Sequence, residues 1–207
     1  MSVGVGDSAR LNGLLRDYNE YPERRERIVA EIRRAFARQL ALLVIDSSGF
    51  TRGVQRDGII HFLALLERLG RLIVPIIERH GGRVIKVDAD NYFAGFTDVT
   101  DAAACAIEVC AAVAIANEPL PAAEEIYVAI GVGFGEVLLV GDHDVFGAEM
   151  NAACKLGEDL AERGEILLTA NAHAALPEQR PYATEEVGFT ISGVELTAYR
   201  IVADSAR

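Results

Sequence analysis

Residues Leu40 to Asp46 read Leu-Ala-Leu-Leu-Val-Ile-Asp: six apolar side chains in succession, closed by a carboxylate, with Ser47-Ser48-Gly49 directly behind it. The run has neither the period-two alternation of a half-exposed strand nor the 3.6 period of a surface helix. It reads as a continuous buried strand. The carboxylate at its end is the constraint, because an ionised Asp at the edge of a core is costly unless something positive meets it.

The rest of the chain arranges itself around that strand. Met1 to about Tyr21 has weak periodicity and reads as a loose leader. Pro22 suits the first position of a helix, which "ERRERIVAEIRRAFARQL" continues with Ile28, Ile32, Ala35 and Phe36 as a narrow apolar stripe. An amphipathic helix is predicted from Asp57 to about Arg79, kinked near its end by Pro75 and stopped by Gly81-Gly82. "RVIKVDADNYFAGF" predicts two strands around a tight polar turn at Asp88–Asn91. The Ala-rich stretch 98–117 is a second helix, "IYVAIGVGFGEVLLVG" a strand pair turning near Gly133–Glu136, and 146–163 a third helix. "GEILLT" is a further strand, with weaker strands at 182–191 and 197–202. This order predicts an α+β fold: a ferredoxin-like βαββαβ core with helices on one face, extra C-terminal strands and an N-terminal helical segment.

Charge narrows the function classes. The 207 residues carry a formal net charge of −11, against a general nucleic-acid binder. An acidic protein that handles a polyanion needs metal ions or a few well-placed cations. No apolar run reads as a membrane span, the longest candidate, Ile59 to Ile77, being broken by Glu67, Arg68 and Arg71. Cys105, Cys110 and Cys154 lack metal-ligand spacing and read as small apolar packers in a reducing cytoplasm.

Asp46 and Asp90 lie at a strand end and in a hairpin turn. Two such carboxylates can converge and hold Mg²⁺, which takes one or two carboxylates and leaves room for substrate phosphates. Spacing alone leaves another reading open, with Asp46 capping a turn and Asp88 and Asp90 as ordinary hairpin residues. The turn after Asp46 could also cradle phosphate oxygens on its backbone amides. Of 20 basic residues only Lys86 and Lys155 are lysine, which singles them out as places where a compact ammonium is wanted.

Three blocks, in order, resemble the catalytic domain of the class III nucleotidyl cyclases, the adenylyl and guanylyl cyclases. "VIDSSGFT" is similar to that family's first metal segment, and "GGRVIKVDADNYFAGF" to its hairpin, where a Lys precedes the second metal Asp by four. "DVFGAEMNAACKLGEDLAERGEILLT" is similar to the segment that reads the base and stabilises the transition state. The resemblance covers about Leu40 to Thr169, more faintly "SGVELTAYRI", and divides the chain into an N-terminal leader and helix at 1–38 and a cyclase domain at 39–207.

What the resemblance implies is a set of roles. Asp46 and Asp90, with the Ile45 carbonyl, would hold two Mg²⁺ or Mn²⁺ ions. Lys86 and Asp144 would read the base, favouring ATP, and Asn151 would orient the ribose. Lys155 stands where the family has a triphosphate-binding Arg, and Phe50 and Thr51 would lie beside the phosphates. Ser192 stands where the family has a late Lys. The family also implies a homodimer with shared sites and, for a chain with no attached effector domain, a separate cyclic-nucleotide receptor. The alternatives are a pyrimidine cyclase using UTP or CTP in antiphage signalling, and a catalytically weak nucleotide-binding regulatory module.

Overall fold

The computed structural model of the chain describes residues 3–48, 58–122, 124–191 and 194–202. It opens with a helical hairpin, α1 (Val3–Glu20) and α2 (Arg25–Phe36), joined by the 3₁₀ turn Pro22–Arg24. The core follows as β1 (Ala37–Ser48), α3 (Ile59–Arg79), β2 (Arg83–Asp88), β3 (Asn91–Phe96), α4 (Val99–Asn117) and β4 (Tyr127–Val140). After it come β5 (Asp144–Phe146), α5 (Ala148–Cys154), β6 (Ile166–Thr169), α6 (Ala170–Ala175), β7 (Ala183–Ile191) and β8 (Val194–Val202). The strands form one sheet in the order β2-β3-β1-β4-β6-β8-β7, with β5 paired to β4. Its first four strands have the ferredoxin-like order, as the element pattern predicts.

β1 lies between β3 and β4, antiparallel to both. Ala41, Leu43 and Ile45 pack on one face with residues of α3 and α4, including Leu69, Ile73 and Val109. Leu42 and Val44 pack on the other with Val137, Met150 and Ala153. The expectation of helices on one face is therefore corrected: α3 and α4 cover one side and α5 the other. A strand apolar at every position requires this, since both of its faces leave water.

The predicted turn at Gly133–Glu136 does not form; Tyr127 to Val140 is a single strand. Gly131, Gly133 and Gly135 recur at period two and mark a face on which α5 approaches closely. A Cβ at Gly131 would sit 2.0 Å from the Ala153 carbonyl oxygen and 2.7 Å from the Gly157 nitrogen. The chain reverses later, at Gly141 and Asp142, which have φ of 57° and 58°. The third helix is also shorter than expected. It ends at Cys154 and continues as a wider π turn, Lys155–Leu160.

The supposed leader is α1, whose Leu11, Leu14 and Tyr18 cluster with Ile28, Ile32 and Phe36 of α2 and with Leu138 and Val140 of β4. Pro75 lies within α3, which runs on to Arg79. The most apolar long helix is α4 rather than α3. Val99–Asn117 is long and apolar enough to cross a membrane, but here Val99, Ala102, Ala106, Val109 and Val113 are buried in the domain core. The three cysteines are free, and burial pushes each thiol up to about 12, in keeping with a packing role.

Replacing Gly131 by Ala should destabilise the domain by about 3 kcal/mol or more, because backbone atoms must move to admit the methyl group. Gly188→Ala, where nothing lies within 4 Å of the added carbon, should change stability by less than about 0.5 kcal/mol. Urea denaturation of the two variants checks the contrast, and equal midpoints would contradict it.

Candidate active site

β1 delivers Asp46 one residue beyond the fully buried Ile45. By strand alternation its side chain follows Leu42 and Val44 onto the α5 face. The β2–β3 hairpin brings Asp90 to the same end of the sheet, with Ala89 taking the left-handed turn position at φ 51°. Ser47 is buried, and its hydroxyl donates to Asp90 Oδ2 at 3.3 Å. The half-buried Asp46 carboxyl is pushed up to about 6, first by burial, then by the charge of Asp90, with Glu158 and Asp159 adding to it.

The charges that act on Asp46 among the described residues are all acidic: Asp90, Glu158 and Asp159. Among the described residues no three His, Cys, Asp or Glu side chains are grouped to hold a metal by themselves. Magnesium asks for less: one or two carboxylates, with phosphate and water oxygens completing the shell. Asp46 and Asp90 are hard oxygen donors whose mutual repulsion a dication would relieve, so the donor set fits Mg²⁺ or Mn²⁺. The Ile45 carbonyl belongs to the central strand, in register with Tyr92 and Ile130.

Lys86 and Asp144 come together. They lie on β2 and β5, 58 residues apart in sequence, and Lys86 Nζ donates to Asp144 Oδ1 at 3.2 Å. The ammonium also lies 5.1 Å from the centroid of the Phe93 ring, its cross-strand neighbour. Asp144 Oδ1 is further held by the Val145 amide at 3.0 Å. Beside this pair Arg83 donates to Asp142 at 2.6 Å, joining β2 to the β4–β5 turn a second time.

Asn151 is exposed on α5, and Lys155 opens the π turn one helical turn later. Lys155 Nζ donates to Asp159 Oδ2 at 2.6 Å. Among the described residues no hydrogen bond or ion pair joins Asn151 or Lys155 to Asp46 or Asp90. Phe50, Thr51 and Ser192 lie outside the described residues. Three histidines are engaged elsewhere: His80 with Glu108, His143 with the Gly141 carbonyl and Ser8, and His173 stacked on Tyr199.

Sequence reasoning missed Asp159, the partner of Lys155, and Glu149, which binds groups from three other elements. The i, i+4 spacing of Lys155 and Asp159 could have flagged the first. Nothing local flags the second, because its partners lie on β4, β6 and α6.

No family model matches the chain. A stretch of 142 residues, 69% of the chain, is 32% identical to a Rhizobium meliloti (strain 1021) protein provisionally named adenylate cyclase 3. The chain spans only 23% of that relative's length. An adenylate/guanylate cyclase/hydrolase from Silicibacter pomeroyi superposes with a TM-score of 0.69 at 27% identity, covering 81% of this chain and 98% of that one. An adenylyl cyclase from P. aeruginosa shares the fold, with a TM-score of 0.68 at 19% identity over 83% of this chain and 97% of the other. With the strand order, the two carboxylates at the sheet end and the Lys86–Asp144 pair already in place, the chain has the fold of the adenylate/guanylate cyclase catalytic domains and is similar to them in sequence.

Proposed function

We propose that the protein is a nucleotidyl cyclase that converts a nucleoside triphosphate, ATP foremost, into its 3′,5′-cyclic nucleotide and pyrophosphate. The observation that carries this reading is the Lys86–Asp144 pair, taken together with the crowding of the Asp46 carboxylate by Asp90. The bond formed joins the ribose 3′-oxygen to the α-phosphorus, and the bond broken releases pyrophosphate.

Each residue has a physical task. The Lys86 ammonium donates to the ring nitrogen of adenine while Asp144 accepts from the exocyclic amine beside it. Cytosine presents the same order of amine and ring nitrogen, which makes CTP the closest competitor, whereas uracil would need the two side chains exchanged. Asn151 orients the ribose, and Lys155 balances charge on the triphosphate. Asp46, Asp90 and the Ile45 carbonyl would hold two Mg²⁺ or Mn²⁺ ions. Such ions lower the pKa of the 3′-hydroxyl and neutralise phosphate charge when bound.

The likeness to cyclase catalytic domains supports a homodimer whose sites are shared across the interface. Nucleotide binding without turnover is the second reading. It rests on the ion pair between Lys155 and Asp159, which occupies the ammonium that a triphosphate would need. A separate receptor for the cyclic product would complete the signalling arrangement.

Incubating the purified protein with each of the four nucleoside triphosphates and Mn²⁺, followed by mass detection of product, should yield cyclic AMP above all. Absence of any cyclic nucleotide would favour the binding module.

Asp46→Asn and Asp90→Asn should each abolish turnover with the fold retained. The raised Asp46 carboxyl also has a signature in metal-free protein. A carboxyl whose folded pKa lies above its unfolded value disfavours folding increasingly as pH rises from the unfolded value through about 6. In EDTA, Asp46→Asn should therefore be more stable than wild type at pH 8, by on the order of 1 kcal/mol after allowing for the half-exposed setting. The difference should vanish below about pH 4. Denaturation midpoints against pH would reveal a flat difference if the crowding is not real.

If the sites are shared, mixing Asp46→Asn chains with Asn151→Ala chains should restore activity, because one site per mixed dimer is then intact. No recovery despite demonstrated subunit exchange would count against shared sites. Lys155→Ala should lower kcat by about a hundredfold, as expected for losing one transition-state cation. Lys155→Arg should not exceed wild type, since a planar fork replaces an ammonium that moves freely between oxygens. Steady-state kinetics of the two variants would overturn this role if Lys155→Ala retained full rate.

A further inference from the structure

Glu149 is the second residue of α5, and its half-buried carboxylate gathers donors from three other elements. The Phe134 amide of β4 donates to Oε2 at 3.2 Å, and the Thr169 hydroxyl at the end of β6 donates to the same oxygen at 2.9 Å. The Asn171 side-chain amide of α6 donates to Oε1. Thr169 is buried, and its hydroxyl also accepts from the Ala172 amide at 3.1 Å, so the group is satisfied on both sides.

The glycines of β4 make room for this carboxylate. A Cβ at Gly135 would lie 2.5 Å from Glu149 Cγ, and one at Gly133 would lie 3.0 Å from the Glu149 carbonyl oxygen. A side chain at Gly133 or Gly135 would press on the start of α5. A carboxylate in the first helical turn also agrees with the helix dipole, worth only about 0.3–1 kcal/mol. The dipole alone does not explain three convergent donors from β4, β6 and α6.

We infer that Glu149 is a positioning residue: its carboxylate locks α5 to β4, β6 and α6, and thereby sets the direction in which Asn151 and Lys155 meet the substrate. The inference rests on the cyclase reading of those two residues. Two residues along a helix is about 200° of rotation, so a Glu149 held against the sheet turns Asn151 outward. Lys155, four residues beyond Asn151, projects from the same side. A small rotation of α5 would displace both groups together. Orientation of this kind acts on the bound complex, so kcat should respond more than KM.

The test uses the full chain with Mn²⁺ and the triphosphate that wild type converts. Glu149→Ala should lower kcat by about ten- to a hundredfold with KM changed by less than about threefold. Glu149→Gln should recover most of the rate. Its amide oxygen still accepts from Phe134 and Thr169, and Asn171 can turn its own oxygen towards the new amide. Thr169→Val in the Glu149→Ala background should add little further loss, because both changes remove one shared contact. Unchanged kcat in Glu149→Ala, equal losses in the Ala and Gln variants, or fully additive effects with Thr169→Val would each overturn the assignment.

Native-state hydrogen exchange separates this inference from the cyclase reading. In Glu149→Ala the amides from Met150 to Leu156 should exchange at least about tenfold faster while those of β1 hold their rates. Unaltered exchange there overturns the lock whatever the activity. Accelerated exchange in a protein whose wild type converts no triphosphate would keep the lock but remove its role in turnover. Should Glu149→Ala fail to fold, Glu149→Gln and Thr169→Val alone carry the comparison: full rate and unaltered exchange in Thr169→Val would overturn the assignment.

Discussion

Backbone-to-backbone contact between α5 with its π turn and the two central strands is the constraint on which the rest of the molecule depends. Gly131 and Gly157 meet with no room for a side chain on either. A Cβ at Gly157 would lie 2.8 Å from the Gly131 nitrogen and 3.0 Å from the Val44 carbonyl oxygen. Val44 is two residues from Asp46. The element that carries Asn151 and Lys155 therefore rests directly on the strand that carries Asp46. The glycine stripe of β4 lowers strand propensity, yet it is what permits this approach.

The contact also organises the electrostatics. The wider π turn beyond Cys154 places Glu158 and Asp159 where their charges raise the Asp46 carboxyl, after burial and Asp90. Asp159 holds Lys155 at 2.6 Å in the same turn. Acidic groups thus gather at one end of β1, while Lys86 and Asp144 form an ion pair of their own between β2 and β5. On the proposed reading, a dication would relieve the first and a nucleobase edge would engage the second.

Much of the fold was legible in the chain. The buried run ending at Asp46, the hairpin around Asp90, the long helix from Ile59 and the order of elements all follow from local pattern. So does the apolar stripe of α2, whose Ile28, Ile32 and Phe36 are buried. Each misreading has its own physical cause. Gly133 to Glu136 looked like a turn because glycine is scored for its freedom, whereas here it is used for its lack of bulk. The first twenty residues looked unstructured because α1 has little amphipathic pattern of its own. Its order comes from packing on α2 and β4.

The sequence by itself determined which residues are chemically able to act: two carboxylates at a strand end and a hairpin, two lysines in an arginine-rich chain, and an Asn one helical turn before the second lysine. Residue chemistry and local pattern suffice for the carboxylates and the lysines, whereas Asn151 stands out only through the resemblance to the cyclases. Only the tertiary structure decided which of them meet. It brought Lys86 to Asp144 across 58 residues, tied Lys155 to Asp159, and made Glu149 the anchor of α5 through partners on three other elements. These outcomes depend on sheet register and on how closely α5 can approach glycine, and both are properties of the packed chain rather than of any segment within it.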